Sequence, residues 1–166
     1  MSETLVIRKA NDADMAGITR IYNQGIADGI ATLEADRKTE SQVRELLGRQ
    51  SERYDVIVAQ RGSEVVGWAA LNPYSHRCAY DGVADLSVYV ERSARGTGIG
   101  ARLLDDIEQR ARHHNFHKIV LFTFPFNEAG QALYRKRGFR EVGTFKEQGT
   151  LDGRFIDVMA MEKLLR

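Results

Sequence analysis

The sequence has little of what marks several classes of protein. Cys78 is its only cysteine, which excludes an intrachain disulfide and favours a reducing compartment. Twenty-four basic and 23 acidic residues leave a net charge of +1, so no overall field attracts nucleic acid or an anionic membrane. No apolar run approaches the length of a membrane span, and "MSETLVIRKA" lacks the apolar stretch of a signal peptide. We therefore expect a cytoplasmic protein that binds neither nucleic acid nor membrane.

Segments typical of linkers are also missing. The 166 residues include only two prolines and show no repeat or low-complexity tract. With 43% hydrophobic and 28% charged residues, the composition is that of a folded domain with a core of its own. We interpret residues 1–166 as one domain.

The hydrophobic periodicity predicts an α/β sandwich. Runs rich in β-forming residues predict strands at 5–10, 54–60, 64–71, 84–90 and 117–124, with two more flanking the turn signal Asp152-Gly153. Helical spacing and capping residues predict helices at 11–25, 40–50 and 127–138, and another that begins near residue 99. The strand–helix–strand order between residues 85 and 124 implies a parallel pair, while the hairpins imply antiparallel pairs. We therefore expect a mixed sheet with helices packed on it.

A glycine-rich loop, "ERSARGTGIG" at residues 91–100, separates a predicted strand from a predicted helix. Its "GTGIGA" satisfies the dinucleotide pattern G-x-G-x-x-[GA], but the next strand ends in "LFTF", without the acidic residue that binds a ribose. The P-loop pattern G-x-x-x-x-G-K-[ST] does not occur. Two interpretations remain. Either the glycines permit a tight turn, or their N–H groups bind an anion at the start of the helix.

The spacing of Arg95, Gly98 and Gly100 bears on this choice. It resembles the R-x-x-G-x-G pattern with which acetyltransferases of the GNAT superfamily bind the pyrophosphate of acetyl-coenzyme A. The order of strand, loop and helix is also the one that such a site requires. The resemblance therefore implies that the glycine loop approaches coenzyme A.

Four longer segments extend the resemblance over most of the chain: 21–34, 67–90, 126–139 and 149–165. They resemble one branch of the superfamily, the phosphinothricin/methionine sulfoximine N-acetyltransferases, and within it the arsinothricin N-acetyltransferases most of all. The resemblance implies a GNAT fold: an α/β domain whose mixed, mostly antiparallel central sheet has a splayed parallel strand pair and helices on both faces. It also implies acetyl-coenzyme A as cosubstrate, no metal, a homodimer, and a detoxifying acetylation of a glutamate-like amino acid.

The resemblance also implies catalytic roles. Asp85 would be the base that removes a proton from the substrate's amine, and Tyr134 the acid that protonates the coenzyme A thiolate. Taken alone, an aspartate at a strand start is a cap or surface charge, and a tyrosine on a helix is a packing residue. Backbone groups of Val88 and Val90 would pair with the pantetheine arm, and the Val88 N–H would polarise the thioester carbonyl. The implied coenzyme-binding residues are Val88, Tyr89, Val90, Arg95, Gly96, Thr97, Gly98, Ile99, Gly100, Ala101 and Asn127.

The acceptor pocket implied by the resemblance consists of Thr32, Glu34, Arg77, Tyr80, Arg154 and Phe155. The guanidinium groups of Arg77 and Arg154 suit bidentate binding of an α-carboxylate and an anionic phosphinate or arsinate. Ser75 stands where many relatives have an arginine, because this chain reads "PYSHR". Which amino-acid analogue is the substrate therefore stays open.

The sequence leaves two alternative functions open and contains one candidate metal site. The same fold could act on another amine, such as a polyamine, a protein N-terminus or a lysine, although arginines in the pocket disfavour a cationic acceptor. A protein that binds acyl-coenzyme A without catalysis is the alternative from another class. His113 and His117 have i, i+4 spacing, but no acidic or cysteine ligand accompanies them, so we expect no metal site.

Overall fold

The computed structural model describes residues 3–29, 32–48 and 52–166. Within these ranges seven strands form one sheet: β1 Leu5–Lys9, β2 Val56–Arg61, β3 Glu64–Pro73, β4 Val83–Val90, β5 Lys118–Thr123, β6 Arg140–Leu151 and β7 Arg154–Leu164. The same residues contain four α-helices: α1 Met15–Asp28, α2 Glu40–Gly48, α3 Ile99–His113 and α4 Glu128–Lys136. The strands lie in the order β1-β2-β3-β4-β5-β7-β6, and every neighbouring pair is antiparallel except β4–β5.

The predicted fold class is confirmed, because a mixed and mostly antiparallel sheet carries helices on both faces. The core on the face of α1 and α2 is built around Trp68, Val58 and Ile18. The core on the opposite face includes Leu103 and Ile107 of α3. The apolar stripe at helical period that predicts α3 is the stripe that the helix buries against the sheet.

The predicted splay of the parallel pair is present. β4 and β5 pair over three positions, and the pairing ends at Asp85↔Val120. Both strands continue, β4 to Val90 and β5 to Thr123. β4 stays paired with β3 over its whole remaining length, as far as Val90↔Gly67. The edge of β4 that faces β5 is therefore open from Leu86 onwards.

Helix α1 extends beyond its predicted end at Gly25. It continues to Asp28, and the left-handed residue that ends it is Gly29, with φ of 64°. Gly25 lies inside the helix, is buried, and does not end it. The α-helix also begins later than predicted. Asn11 caps a 3-10 turn at 12–14, and α1 follows this turn.

The remaining predicted elements match the structure within about two residues, with one part untested. The helix predicted at 40–50 is α2, and residues 49 and 50 lie outside the described residues. Asn127 caps α4 by accepting a hydrogen bond from the Gly130 N–H at 3.1 Å. Asp152 and Gly153 have φ of 51° and 76°, as a tight hairpin turn between β6 and β7 requires.

Candidate active site

The opening between β4 and β5 forms a cavity of about 230 Å³. Seven residues singled out from the sequence line it: Asp85, Val88, Tyr89, Val90, Arg95, Asn127 and Tyr134. Gly25, Leu86, Ser87, Leu121, Phe122 and Thr123 complete the wall. The strand, the glycine loop and α4 therefore contribute to a single cavity.

The open edge of β4 presents backbone groups to this cavity. The Glu91 N–H donates to the Val66 carbonyl of β3 at 2.8 Å, which fixes the alternation at this end of the strand. Since successive residues direct their backbone groups to opposite edges, those of Val88 and Val90 face away from β3. The Val90 carbonyl accepts a hydrogen bond from Nε of Arg95 at 3.3 Å, in agreement with this direction. An extended ligand can therefore pair with this edge as a further strand would.

Two glycines of the loop make its backbone approachable. Gly96 and Gly98 have φ of 78° and 90°, and a Cβ on either would meet no atom within 4 Å. Their backbones are therefore open to a ligand, and Gly98 is also the N-cap of α3, where the helix dipole favours an anion. Gly100 differs, because a Cβ there would lie 2.9 Å from Cδ2 of Leu133. Its role in the structure is the close packing of α3 against α4.

Asp28, the last residue of α1, orders the two arginines of the loop. Arg92 donates to its carboxylate through Nε at 3.1 Å and Nη2 at 2.7 Å. Nη1 of Arg95 lies 2.8 Å from the same carboxylate. Arg95 lines the cavity and Arg92 does not, so Arg95 is the cation placed to meet an anionic ligand.

The Asp85 side chain lies where β4 and β5 begin to separate. Burial raises the pKa of Asp85 to about 7, and hydrogen bonds from the Asn72 side chain and the Leu86 backbone oppose this rise in part. Asn72 faces Asp85 across β3 and β4, and its Nδ2 also donates to Oγ of Ser87 at 3.0 Å. A carboxyl group with a pKa close to neutral is suited to accept a proton at neutral pH.

The Tyr134 side chain enters the same cavity from α4. Its ring packs edge-on against Phe139, with ring centroids 6.0 Å apart. Burial raises the pKa of Tyr134 to about 12, so the phenol keeps its proton at neutral pH. The cavity therefore holds a carboxyl group that can accept a proton and a phenol that can donate one.

Comparison with known proteins assigns this arrangement to a family. The model of the acetyltransferase (GNAT) family matches residues 20–139. The chain belongs to this family. It is an N-acetyltransferase that takes its acetyl group from acetyl-coenzyme A.

Three individual proteins illustrate the similarity. The L-methionine sulfoximine/L-methionine sulfone acetyltransferase of Pseudomonas aeruginosa is 31% identical over 163 residues, which cover 94% of this chain and 92% of that protein. The structure of a GNAT phosphinothricin acetyltransferase from Sinorhizobium meliloti in complex with acetyl-coenzyme A has a TM-score of 0.90 and 29% identity, and the match covers 97% and 88% of the two chains. The structure of ribosomal-protein-alanine N-acetyltransferase from Brucella melitensis has a TM-score of 0.92 and 33% identity, over 96% and 99%.

The residues present fit acetyl-coenzyme A in two respects. Gly96 and Gly98 leave room for a pyrophosphate against their backbone, and Arg95 stands beside them. The open edge of β4 offers the N–H and C=O groups of Val88 and Val90 to the pantetheine amides. Arg95, which precedes Gly96, lines the same cavity as the open edge of β4, so one extended ligand could contact both.

The side chains of several residues predicted to bind the coenzyme make contacts within the protein. The Tyr89 ring packs between Tyr22 and Trp68, with centroids 5.2 Å and 4.9 Å away. The hydroxyl of Thr97 donates to the Ala94 carbonyl within the loop, at 2.5 Å. The Ile99 side chain is buried in the core, and Ala101 lies partly buried in the first turn of α3.

The structure distributes the predicted acceptor residues over three segments. Thr32 hydrogen-bonds to the phenols of Tyr22 and Tyr89, and Glu34 forms an ion pair with Lys38 at 3.0 Å. Arg77 and Tyr80 lie in the exposed β3–β4 connection, at the end where Asn72 faces Asp85.

Arg154 and Phe155 lie exposed at the tip of the β6–β7 hairpin. A Cβ on Gly149 of β6 would clash with the Leu33 side chain, so the hairpin lies against the segment that carries Thr32. Within the described residues, the guanidinium of Arg154 has no ion-pair or hydrogen-bond partner, and neither has that of Arg77.

Sequence reasoning missed three residues that act at the site. Asn72 and Ser87 flank Asp85, and the β3–β4 register would have paired Asn72 with Asp85 if the hairpin had been aligned residue by residue. Asp28 binds Arg92 and Arg95, and no spacing in the sequence indicates this contact.

Two features are absent from the described part of the chain. No helix there has the length and apolar character needed to cross a membrane. The same residues contain no group of three or more histidine, cysteine, aspartate or glutamate side chains arranged for a metal ion.

Proposed function

We propose that this acetyltransferase acetylates the α-amine of a small amino acid. The observation that carries the proposal is the cavity between β4 and β5, where Asp85, Tyr134 and the open edge of β4 meet. A phosphinothricin acetyltransferase and a methionine sulfoximine/methionine sulfone acetyltransferase among the similar proteins support an amino acid as acceptor.

Direct transfer accounts for the residues present. Asp85 accepts a proton from the substrate's ammonium group, so that the neutral amine can attack the thioester carbonyl. The Val88 N–H donates to that carbonyl oxygen as negative charge develops on it. The new N–C bond forms as the C–S bond breaks, and Tyr134 donates its proton to the departing sulfur. The amide nitrogen's second proton returns to Tyr134, so the net products are the N-acetyl amino acid, coenzyme A thiol and one proton.

The proposed acceptors are glutamate-like amino-acid analogues: phosphinothricin, arsinothricin and methionine sulfoximine. Acetylation removes the charge of the α-ammonium group, so it changes a group by which an amino-acid analogue is recognised. We infer a role in detoxification and resistance from this chemistry and from the resemblance. The unpaired guanidinium of Arg77, close to the Asp85 end of the sheet, is the proposed site for the α-carboxylate.

A protein N-terminus is a second candidate acceptor. The similarity to ribosomal-protein-alanine N-acetyltransferase, at 33% identity, favours it. An N-terminal alanine also presents an α-amine, so the catalytic steps would be unchanged. The two candidates differ in what must follow the α-carbon: a free carboxylate, or a peptide chain.

Three further expectations are part of the proposal. The 1–166 sequence is interpreted as one acetyltransferase domain that works in the cytoplasm. A homodimer is expected, and exposed apolar side chains on β6 and β7, such as Val142, Phe145 and Phe155, offer surface for it. The mass measured by size-exclusion chromatography with light scattering tests this, and a monomeric mass at micromolar concentration would refute the dimer.

The experiment that tests the function is release of thiol from acetyl-coenzyme A with a panel of acceptors. The panel holds phosphinothricin, arsinothricin, methionine sulfoximine, glutamate, an alanine-initiated peptide, spermidine and a lysine peptide. Release with the free amino acids supports the proposal. Release with the alanine peptide alone would establish the second candidate. Coenzyme binding without release for any acceptor would refute both.

A further inference from the structure

One face of α1 contacts the segment that leads from β4 into the glycine loop. Arg20, Gln24 and Asp28 follow one another at intervals of four residues, which places their side chains on the same face of the helix. All three contact residues of the segment 91–95. Gln24, in the middle, is uncharged, so its contribution rests on hydrogen bonds alone.

The side-chain amide of Gln24 binds this segment through both of its ends. Its Oε1 accepts a hydrogen bond from the Arg92 N–H at 2.9 Å. Its Nε2 donates to Oε1 of Glu91 at 3.0 Å. Because one end accepts and the other donates, Gln24 fixes the backbone of Arg92 and the side chain of Glu91 together.

Glu91 passes this constraint on to the turn that follows it. It caps the 3-10 turn at 92–94, because its carboxylate accepts hydrogen bonds from the Ser93 N–H at 2.8 Å and from the Ser93 hydroxyl. Hydrogen bonds from Ser93 and from Gln24 hold the pKa of Glu91 below its usual value, so the cap stays ionised. The next residue after this turn is Arg95.

The guanidinium of Arg95 depends on the turn for its place in the catalytic cavity. Its Nε donates to the Val90 carbonyl at 3.3 Å, and its Nη1 lies 2.8 Å from the Asp28 carboxylate. Nη2 makes no hydrogen bond to the described residues, so it is available to an anionic ligand beside the open backbone of Gly96. Since the turn at 92–94 leads directly into Arg95, a shift of the turn would move the guanidinium away from this place.

We propose that Gln24 is a positioning residue for the phosphate-bearing end of the coenzyme. It holds the turn at 92–94 in the conformation that brings Arg95 to the cavity. Gln24 does not itself line that cavity, so it acts through Arg95 and not by contact with the ligand. The inference concerns the acetyl donor, so it applies to an amino-acid acceptor and to a protein N-terminus alike.

Two donors separate this role from a general loss of structure. Acetyl-coenzyme A carries the pyrophosphate, whereas S-acetylpantetheine has the same thioester and pantetheine arm without any phosphate. Gln24→Met removes both hydrogen bonds of the amide without changing the charge. With the acceptor of the panel that gives the fastest thiol release, we expect kcat/KM for acetyl-coenzyme A to fall by about tenfold and that for S-acetylpantetheine to stay within about twofold of wild type. Equal losses with the two donors, or no loss with either, would overturn the proposal.

Gln109→Met is the matched control for this substitution. Gln109 is exposed on α3, about 15 Å along the helix from its first residue, Ile99. The same chemical change is thus made on a helix surface remote from the turn at 92–94, and we expect both kcat/KM values to stay within about twofold of wild type. A loss like that of Gln24→Met would show that the contacts of Gln24 are not its cause, and would refute the proposal.

Coenzyme binding tests the route through Arg95 without any acceptor. Calorimetric titration with coenzyme A gives Kd for the wild type, Gln24→Met, Arg95→Gln and the double variant. We expect Gln24→Met to raise Kd by about tenfold in the wild type but by less than about threefold in Arg95→Gln, because two residues that act through one contact are not additive. A tenfold rise in both backgrounds would contradict the role of Arg95. If no acceptor of the panel is acetylated, the proposed function fails, while this titration still decides the inference.

Discussion

Asn72 and Asp85 face each other across β3 and β4, and the Asn72 side chain hydrogen-bonds to the carboxyl group at the point where β4 parts from β5. This hydrogen bond lowers the pKa of Asp85, but burial outweighs it and raises that pKa to about 7. The Asp85 carboxyl group is thus about half ionised near pH 7. At this pH enough carboxylate is present to accept a proton, and its affinity for the proton is still high.

The first prediction concerns the pH dependence of Asp85. In the wild type, kcat/KM rises with pH through about 7 and then levels, because only the ionised carboxylate accepts a proton. Asp85→Asn lowers kcat/KM by roughly 10²-fold or more and removes this limb of the profile. Steady-state thiol release between pH 5.5 and 9 measures both. A variant that keeps the wild-type limb shows that another group titrates.

The same shift predicts an effect on stability. Below about pH 4, the ordinary pKa of an aspartate, Asp85 is protonated in the folded and unfolded states alike. Between there and about 7 only the unfolded state ionises, so this group's contribution to stability is lost as pH rises through its folded pKa. The Tm of Asp85→Asn relative to wild type should therefore increase from pH 4 to pH 8. Calorimetry that finds a constant or falling difference would contradict the shifted pKa.

The acid can be tested separately from the base. Tyr134→Phe removes the hydroxyl and keeps the ring that packs on Phe139. We expect kcat to fall by roughly 10²-fold, while the Kd for coenzyme A from calorimetric titration changes less than about threefold. Unchanged turnover would mean that water protonates the thiolate.

Substitutions of two loop glycines distinguish coenzyme binding from the packing of α3 against α4. Gly98→Ala forces an alanine to φ of 90° and fills the space beside the backbone, so KM for acetyl-coenzyme A should rise by roughly tenfold. Gly100→Ala places its Cβ 2.9 Å from the terminal methyl of Leu133, which can move, so the same KM should change less than about twofold. Equal effects of the two substitutions would contradict the distinction.

The arginines of the loop give a matched pair. Arg95→Gln removes the cation that lines the cavity, and Arg92→Gln removes one that does not. Both lose a bond to Asp28, so that loss is common to the two. We expect KM for acetyl-coenzyme A to rise several-fold more in Arg95→Gln than in Arg92→Gln. This difference should shrink at high salt, because dissolved ions screen the charge of Arg95. The reverse order would assign the coenzyme's pyrophosphate to Arg92.

Secondary structure could be predicted from the sequence where the hydrophobic periodicity and the capping or turn residues indicated the same element. The stripe of α3, the Asn127 cap and the Asp152-Gly153 turn each fix local structure without help from distant contacts. Gly25 misled because a glycine inside a helix and one at its end look alike until tertiary packing is known. The splay depends on where β4–β5 pairing stops, and only the resemblance anticipated it.

The site could be predicted from the sequence where the residue type itself indicates a backbone conformation, as glycine does. Gly96 and Gly98 adopt positive φ angles, which glycine favours. Gly100 belongs to the same sequence pattern but is needed for close packing against Leu133, which the sequence does not show. Asp28 lies at the end of α1 and binds Arg92 and Arg95 of the glycine loop, so no local motif could have revealed this contact.

The most direct test of the account is the product formed from deuterated acetyl-coenzyme A and methionine sulfoximine. The account predicts that mass spectrometry finds the labelled acetyl group on the α-nitrogen of the amino acid, with one thiol released per product. Tight binding of the coenzyme with no labelled amino acid would contradict the proposed acceptor class.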